Sequence, residues 1–152
     1  MRERQAARER RRAREFEVFV GGAGGRLLHA ARLLTAEDPR TGSDGAAERL
    51  LTAALARTYA DWDRIGGDDP YEHTRRELTA RFAHSARRYR HPRGGVLERL
   101  PPRERLVVVL RLYEGVAEEQ AAAGLGLPVE RVRALCTRAV AALRSRPAGP
   151  AP

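Results

Sequence analysis

The segment from Val116 to Arg144 contains two helical patterns separated by only a few residues, and this feature constrains the fold more than any other. The first pattern runs from about Ala117 to Gly124, with a small residue, Ala122, where a second helix would have to cross it. Gly126 follows four residues later and suits a tight turn. Pro128 has the fixed φ angle that favours the start of a helix. The spacing predicts a helix-turn-helix.

The second helix of this unit is predicted to be amphipathic. Its buried stripe is predicted to consist of Val129, Val132, Leu135 or Cys136, Ala139 and Leu143. If the helix enters a major groove, its arginines can read guanine edges or hold phosphates. An alanine-rich helical hairpin with no role in DNA binding is the alternative interpretation. The candidate DNA-binding residues are those that avoid the stripe: Glu130, Arg131, Arg133, Ala134, Thr137 and Arg138.

The rest of the chain also carries helical rather than strand periodicity. Apolar residues recur at intervals of three and four in residues 27–34, 46–65 and 70–91. Asp44 is predicted to cap the second of these segments. The run LVVVL (106–110) could form a strand, but a helix start at Pro101 and Pro102 and an end at Gly115 favour a helix. The predicted fold class is all-α, with two small helical domains.

Turn-forming residues indicate where these domains begin and end. The glycine-rich run of residues 21–25 lacks the lysine and hydroxyl of a phosphate-binding loop, and we expect a flexible break between helices there. Pro92, Arg93, Gly94 and Gly95 indicate the boundary between the domains. The predicted segments are a basic N-terminal arm (1–15), a helical domain (16–91), a short linker (92–99), a helix-turn-helix domain (100–146) and a disordered tail (147–152).

The charge of the chain indicates an anionic partner. All 29 basic residues are arginine, against 20 acidic residues, and the formal net charge is +9. In the arm, seven arginines against three glutamates form either a solvated segment or one that displaces counterions from DNA phosphates. Aromatic residues interleaved with arginines over 70–91 suit a surface that binds unpaired DNA, although a solvated face is an equally good interpretation. The candidate residues there are Arg75, Arg76, Arg81, Arg87 and Arg88.

Other classes of protein are disfavoured. The single Cys136 excludes an internal disulfide, and the four histidines do not fall at a metal-ligand spacing with it. We therefore expect no metal and no cofactor. No paired carboxylates and no nucleophile with a base emerge, so an enzyme is not expected. No apolar run reaches the roughly 20 residues of a membrane span, and the predicted location is the cytoplasm without membrane contact.

Four stretches of the sequence together resemble a known family. FEVFVGGAGGRLLHAARLLT, AALARTYADWDRI and RRELTARFAHSARRYRH resemble the N-terminal domain of small bacterial RNA polymerase sigma factors of the extracytoplasmic-function group. LPPRERLVVVLRLYEGVAEEQAAAGLGLPVERVRALCTRAVAALR resembles their C-terminal domain. The resemblance implies a non-enzymatic subunit whose first domain binds the polymerase clamp and unpaired −10 bases, and whose second domain reads the −35 element. The implied partners are DNA and core RNA polymerase, and an anti-sigma protein is a candidate third partner.

The chain departs from the family pattern at three places. In the segment that corresponds to the family's acidic polymerase-facing motif, Arg49 and Thr52 replace the usual acid and glutamine, and Glu48, Arg49 and Thr52 are the candidate docking residues. Ala80, Ser85 and Ala86 stand where the family has an asparagine and tandem tryptophans. The nine residues from Pro92 to Leu100 span at most roughly 30 Å, which is short for the family.

These departures leave two other functions open. The chain could be a sigma-derived helix-turn-helix regulator that does not itself initiate transcription. It could instead be an interaction protein that binds polymerase without touching DNA.

Overall fold

The computed structural model describes residues 1–38, 40 and 44–145. Within those ranges the chain is all-α, as predicted, and its one β-type contact is an isolated bridge between Glu37 and Gly94. The predicted tail, 147–152, lies outside the described residues. The helices are α1 (Arg2–Thr35), α2 (Ala46–Ala60), α3 (Trp62–Ile65), α4 (Pro70–His84), a 3-10 helix (Ala86–Tyr89), α5 (Pro102–Val108), a π turn (Val109–Tyr113), α6 (Glu118–Leu125) and α7 (Val129–Arg144).

The first helix is longer than the sequence pattern indicated. α1 includes the basic residues 1–15 almost entirely and continues through the run from Gly21 to Gly25, so the prediction of a flexible break there was wrong. Each glycine in a helix costs roughly 0.5–1 kcal/mol relative to alanine. Packing on both sides of the run offsets this cost, since the Phe16 ring lies 4.9 Å from that of Tyr59 before the run and Leu27 is fully buried after it.

α1, α2 and α4 pack together as a helical bundle with a shared apolar centre. The buried residues of α1 recur at intervals of three and four, which places them on one face toward α2 and α4. Inside the bundle the hydroxyls of Thr58 and Thr74 lie 2.8 Å apart, so these buried polar groups satisfy each other. The largest fully buried apolar residues of the bundle are Leu27, Leu34, Leu78 and Phe82.

Two carboxylates satisfy the first backbone N–H groups of α2. The N-cap position itself is Gly45, not Asp44 as predicted, but Asp44 just before it accepts a hydrogen bond from Ala46 N at 3.1 Å. Glu37, whose side chain is almost wholly buried, accepts from Ala47 N at 3.1 Å. These N–H groups have no partner within the helix, so the two carboxylates fix where α2 begins.

The C-terminal half of the chain contains the remaining helices. Residues 106–108 belong to α5 and 109–110 to the π turn, so the helical interpretation of LVVVL is confirmed. Gly115 follows the π turn with φ +67°, a left-handed conformation that glycine adopts without steric cost. α5 packs against α7, and α6 packs against α7.

The two halves share one continuous core across the segment that connects them. Gly95 N donates to Ala36 O at 2.8 Å, and a Cβ on Gly95 would lie 2.3 Å from the carbonyl group of Ala36. Leu97 and Leu100 in the same segment are buried. The segment predicted as a linker is therefore packed against the end of α1, and independent folding of the two predicted domains stays a prediction.

One arginine lies at the centre of the contact between the halves. Arg105 of α5 is fully buried and donates hydrogen bonds to four carbonyl oxygens, at 3.3 Å to Leu34, 2.7 Å to Tyr89, 3.1 Å to Leu97 and 2.8 Å to Leu100. Burial lowers the pKa of its guanidinium. These carbonyls belong to the ends of α1 and of the 3-10 helix and to the connecting segment, so Arg105 joins three parts of the chain to α5.

Candidate DNA-binding surfaces

The helix-turn-helix has the geometry that its sequence predicts. Ala122 is buried where α6 meets α7, and Gly126 ends α6 in the left-handed conformation with φ +65°. Leu127 N donates to Ala122 O at 3.0 Å, which closes the turn. α7 begins directly after Pro128, and Val132 is fully buried at the centre of its inner stripe together with Leu135 and Ala139.

The outer face of α7 is open to solvent. All six residues that the sequence assigned to this face are exposed, namely Glu130, Arg131, Arg133, Ala134, Thr137 and Arg138. Three of them are arginines, which can donate two parallel hydrogen bonds to guanine or to a phosphate. Their roles in DNA binding stay predictions.

Two carboxylates from other helices contact this arginine face, and sequence periodicity did not identify them. Glu118 of α6 accepts a hydrogen bond from Arg133 at 2.6 Å, and this bond raises the pKa of the Arg133 guanidinium. Glu104 of α5, with a buried side chain, lies 3.8 Å from Arg138. Arg133 and Arg138 are therefore held in defined positions, whereas Arg131 has no carboxylate partner among the described residues.

The arginines predicted to bind unpaired DNA form the second candidate surface, and they lie in different environments. Arg76 pairs with Glu72 at 2.6 Å and Arg81 lies 3.6 Å from Glu77, both on the exposed side of α4. Arg87 and Arg88 are exposed on the 3-10 helix without a carboxylate partner in the described part of the chain. Arg75 differs, because its side chain is only 17 % exposed and lies 3.9 Å from the buried carboxylate of Glu114. Arg75 therefore contributes to packing between the halves.

The predicted docking residues lie on α2. Glu48, Arg49 and Thr52 are all exposed there. Glu48 lies 3.5 Å from Arg32 of α1, and Arg49 donates to the carbonyl of Asp44 at 2.6 Å.

An open groove between α2 and α4 contains residues of the predicted docking set and of the predicted surface for unpaired DNA. Its volume is about 820 Å³, and it is lined by Arg49 of the docking set and by Arg81 and Arg88 of the second surface. Ala80 and Ser85 lie in the same wall. The groove carries more arginines than carboxylates, since only Asp44 and Glu77 oppose them, and among its described residues the one large aromatic side chain is Tyr89.

A buried ion cluster connects α1 and α4 to the end of the π turn. The Tyr71 hydroxyl donates to both carboxylate oxygens of Glu114, at 2.7 and 2.8 Å. The guanidinium of Arg26 lies 3.7 Å from Glu114 and faces the Tyr113 ring. We call Glu114 with Arg26, Tyr71 and Arg75 the Glu114 cluster. Its burial and the Glu114 carboxylate raise the pKa of Tyr71.

Three further features of the described residues concern metal binding, membrane spans and the thiol. No group of histidine, cysteine, aspartate and glutamate side chains in the described ranges is arranged to hold a metal ion. Within the same ranges, no helix combines the length and the apolar composition of a bilayer-spanning helix. Cys136 is a partly buried free thiol beside the inner stripe of α7.

Comparisons with known proteins identify the family of the chain. Residues 96–145 match the family described as Sigma-70, region 4. The RNA polymerase sigma-E factor of Streptomyces coelicolor is 34% identical over 155 aligned residues, which cover 86% of this chain and 84% of that protein. The RNA polymerase sigma-E factor of Streptomyces avermitilis is also 34% identical, with 86% and 83% covered.

A solved structure supports the fold. The co-crystal structure of the anti-anti-sigma factor PhyR complexed with the anti-sigma factor NepR from Bartonella quintana superposes with a TM-score of 0.57 at 20% identity. The superposition covers 84% of this chain and 48% of the other chain. At this level of identity the similarity concerns the fold alone.

Proposed function

The chain belongs to the extracytoplasmic-function group of bacterial RNA polymerase sigma factors and directs the polymerase to promoters, and we propose that α7 reads the −35 element while α4 and the 3-10 helix hold the −10 region. The sigma factor family is not enzymatic. The proposed role is accordingly that of a specificity subunit without a cofactor, acting where the polymerase and the chromosome are, in the cytoplasm.

The observation that carries the proposal is the open face of α7. Its outward residues are all exposed, and the opposite side is fixed in the core by Val132, Leu135 and Ala139. A helix held in this way can enter a major groove without rearrangement of its own domain. Arg131, Arg133 and Arg138 would then meet base edges or phosphates.

The proposed −10 surface is expected to bind more through charge than through stacking. Arg76, Arg81, Arg87 and Arg88 are exposed and can contact the DNA backbone. Ala80, Ser85 and Ala86 supply no stacking surface where the family has an asparagine and tryptophans. Base stacking on aromatic side chains contributes about 1–3 kcal/mol per base, so capture of unpaired bases is expected to be weaker than is usual in the family.

The proposed polymerase contact is the exposed side of α2. Glu48, Arg49 and Thr52 lie there, at the positions of the family's polymerase-facing motif. Core RNA polymerase is the main protein partner. An anti-sigma protein is proposed as a further partner, by analogy with the family.

Run-off transcription tests the proposal directly. The full chain is combined with core polymerase and fragmented genomic DNA, and discrete transcripts are expected. DNA binding without transcripts would contradict initiation and favour a regulator that does not start transcription.

Single alanine variants then test the assignment of α7. R131A, R133A and R138A are compared with R64A, which removes an exposed arginine from α3. A guanine contact is expected to cost about 1–3 kcal/mol and to relax preference at one base pair, whereas a phosphate contact weakens all sequences equally. If all three variants retained the parent's transcripts and DNA affinity, α7 would not be the reader.

A further inference from the structure

The first turns of α1 extend beyond the rest of the molecule. Arg12 is the first residue of α1, counted from its N-terminus, whose side chain bonds to another element. It donates to Tyr59 O at 2.6 Å and lies 3.6 Å from Asp63. Among the described residues, no hydrogen bond or ion pair joins the side chains of Arg2 to Arg11 to another element. At 1.5 Å per residue, these ten residues form a helix that projects by about 15 Å.

Four of the arginines in this part of α1 share one face of the helix. Arg4, Arg8, Arg11 and Arg14 follow one another at intervals of four, three and three residues, and all are exposed. We call these four residues the arginine stripe. Glu9 lies five residues from both Arg4 and Arg14, which turns it about 140° away from them. Glu15 pairs with Arg11 at 2.9 Å, but Arg4, Arg8 and Arg14 have no carboxylate partner in the described part of the chain.

The stripe does not stabilise the free protein. Like charges four residues apart, such as Arg4 and Arg8, destabilise a helix by about 0.2–0.5 kcal/mol per pair. The helix forms because α1 continues into the aromatic contacts of Phe16 with Tyr59 and Trp62, which lie 4.9 and 5.5 Å from its ring. The repulsion would be relieved by an anion placed along the face.

The chemistry of the stripe favours phosphates over a lipid surface. Guanidinium groups donate paired hydrogen bonds to phosphate oxygens. From Arg4 to Arg14 the stripe is about 15 Å long, and duplex DNA carries one charge per 1.7 Å of its axis, so several phosphates can face it. A helix that lies on a membrane needs a broad apolar face, but the apolar residues of positions 2–15 are only Ala6, Ala7 and Ala13.

The position of the stripe on the molecule favours DNA. Arg12 contacts the C-terminal end of α2, and Thr58 near the same end of α2 contacts Thr74 in the second turn of α4. The stripe and Arg76 therefore lie at the same end of the bundle. DNA held by α4 would be close to the stripe, which raises the effective concentration of its phosphates.

We propose that the arginine stripe of α1 grips the phosphate backbone of duplex DNA next to the segment held by α4, without reading its sequence. The location of this DNA rests on the proposed function of α4. The stripe would add a contact that the two promoter-reading surfaces do not provide.

The test compares the full chain with the R4Q/R8Q variant, in which glutamine preserves helix propensity. Binding to a promoter duplex and to a scrambled duplex is measured by fluorescence anisotropy over a range of salt concentrations. The slope of log Kobs against log salt is expected to become shallower by about two, and equally on both duplexes, because each phosphate contact contributes about 0.9. The matched control is R64Q/R103Q. It removes two exposed arginines, on α3 and α5, whose side chains have no hydrogen-bond or ion-pair partner among the described residues, and it is expected to preserve the slope.

Three results would overturn the proposal. In the first, the salt slope of R4Q/R8Q equals that of the parent. In the second, the slope of the control becomes as shallow as that of R4Q/R8Q, which would show only an effect of net charge. R4Q/R8Q could instead lose affinity for core polymerase with unchanged DNA binding, which would assign the stripe to an acidic protein surface. Failure of the α7 variants to change promoter preference would contradict the proposed −35 reader but not the stripe, because the stripe acts on both duplexes.

Discussion

Arg105 shows how a single charged residue can organise the contact between two halves of a chain. It is fully buried, yet its partners are neutral carbonyl oxygens rather than a carboxylate. A planar guanidinium spreads five N–H donors over three nitrogens, whereas the ammonium of a lysine has three donors on a single nitrogen and cannot reach carbonyls so far apart. Helical periodicity treats an arginine as a surface residue, so the burial of this position could not be predicted from the sequence pattern.

We expect R105K to lower the free energy of unfolding by about 2–3 kcal/mol, because at least one buried carbonyl would lose its partner and the ammonium is harder to desolvate. Urea unfolding measures the loss. R103K is the matched control on the same helix, since Arg103 is exposed and its change should stay within about 0.5 kcal/mol. An R105K protein as stable as the parent would show that the four hydrogen bonds contribute little.

Glu118 is expected to make Arg133 favour a guanine edge over a phosphate. Its carboxylate holds the guanidinium at 2.6 Å, so a phosphate must compete with it while a well-placed guanine edge can use the fixed orientation. We expect E118Q to raise affinity for scrambled duplex about two- to fivefold and to reduce preference for the promoter. Little change in stability is expected, because the Arg133 side chain of the pair is largely exposed.

E119Q provides the control for this prediction. Glu119 is the exposed neighbour of Glu118, and its substitution changes the net charge by the same amount without removing the bond to Arg133. Equal effects of E118Q and E119Q on the scrambled duplex would show that general charge, and not the position of Arg133, controls binding.

At the scale of elements, α1 is where sequence and structure differ most. Local propensity predicts a break at the glycines, but packing before and after them decides the outcome. The helix-turn-helix was predicted correctly, with its turn at Gly126. The helices predicted over residues 46–65 and 70–91 were right in type but too long, because α2 ends at Ala60 and α4 at His84, and each is followed by a short separate helix. Contacts between distant elements, such as Gly95 with Ala36, have no periodicity and could not be predicted.

The glycines of α1 therefore offer a way to stabilise the protein. A Cβ added to Gly21 or Gly25 would meet no atom within 4 Å, and both have helical backbone conformations. We expect G21A/G25A to raise the free energy of unfolding by about 1–2 kcal/mol, because alanine restricts the unfolded chain more and adds no clash. Thermal unfolding followed by circular dichroism measures the gain.

The control for the glycine variant is G95A, in which the new Cβ would overlap the Ala36 backbone at 2.3 Å and should destabilise instead. A loss of stability in G21A/G25A would mean that the helix through residues 21–25 is not the stable form in solution.

At the scale of the whole molecule, the candidate sites were only partly visible in the sequence. Amphipathic spacing placed the α7 residues correctly on an exposed face, because a helix with one buried stripe leaves the other side open. The same reasoning could not separate Arg75, which faces Glu114, from Arg76, which faces solvent. That difference depends on where the second half of the chain packs.

The Glu114 cluster stabilises the contact between the two halves of the chain, so its loss should weaken that contact. We expect E114Q to lower the free energy of unfolding by about 1–2 kcal/mol at neutral pH, less than for a fully buried pair, because the half-exposed Arg26 can turn toward water. Cleavage by a protease in the connecting segment around Arg93 should accelerate at the same time. E119Q, with the same change of charge on an exposed site, should leave both unchanged.

The pH dependence of the same variant distinguishes a specific role of the cluster from a general loss of packing. Burial and Glu114 raise the pKa of Tyr71 above its ordinary value of 10.0, so the neutral phenol is favoured in the folded state. This contribution is fully present below pH 10 and is lost as pH rises, because the unfolded chain releases its proton first. E114Q removes the carboxylate that accepts the hydrogen bond of the Tyr71 hydroxyl. Its stability should therefore fall less between pH 8 and pH 11 than that of the parent, as measured by urea unfolding at each pH. Parallel curves for the two proteins would show that Glu114 and Tyr71 do not interact in solution, and the contact between the halves would then rest on Arg105 and the apolar core.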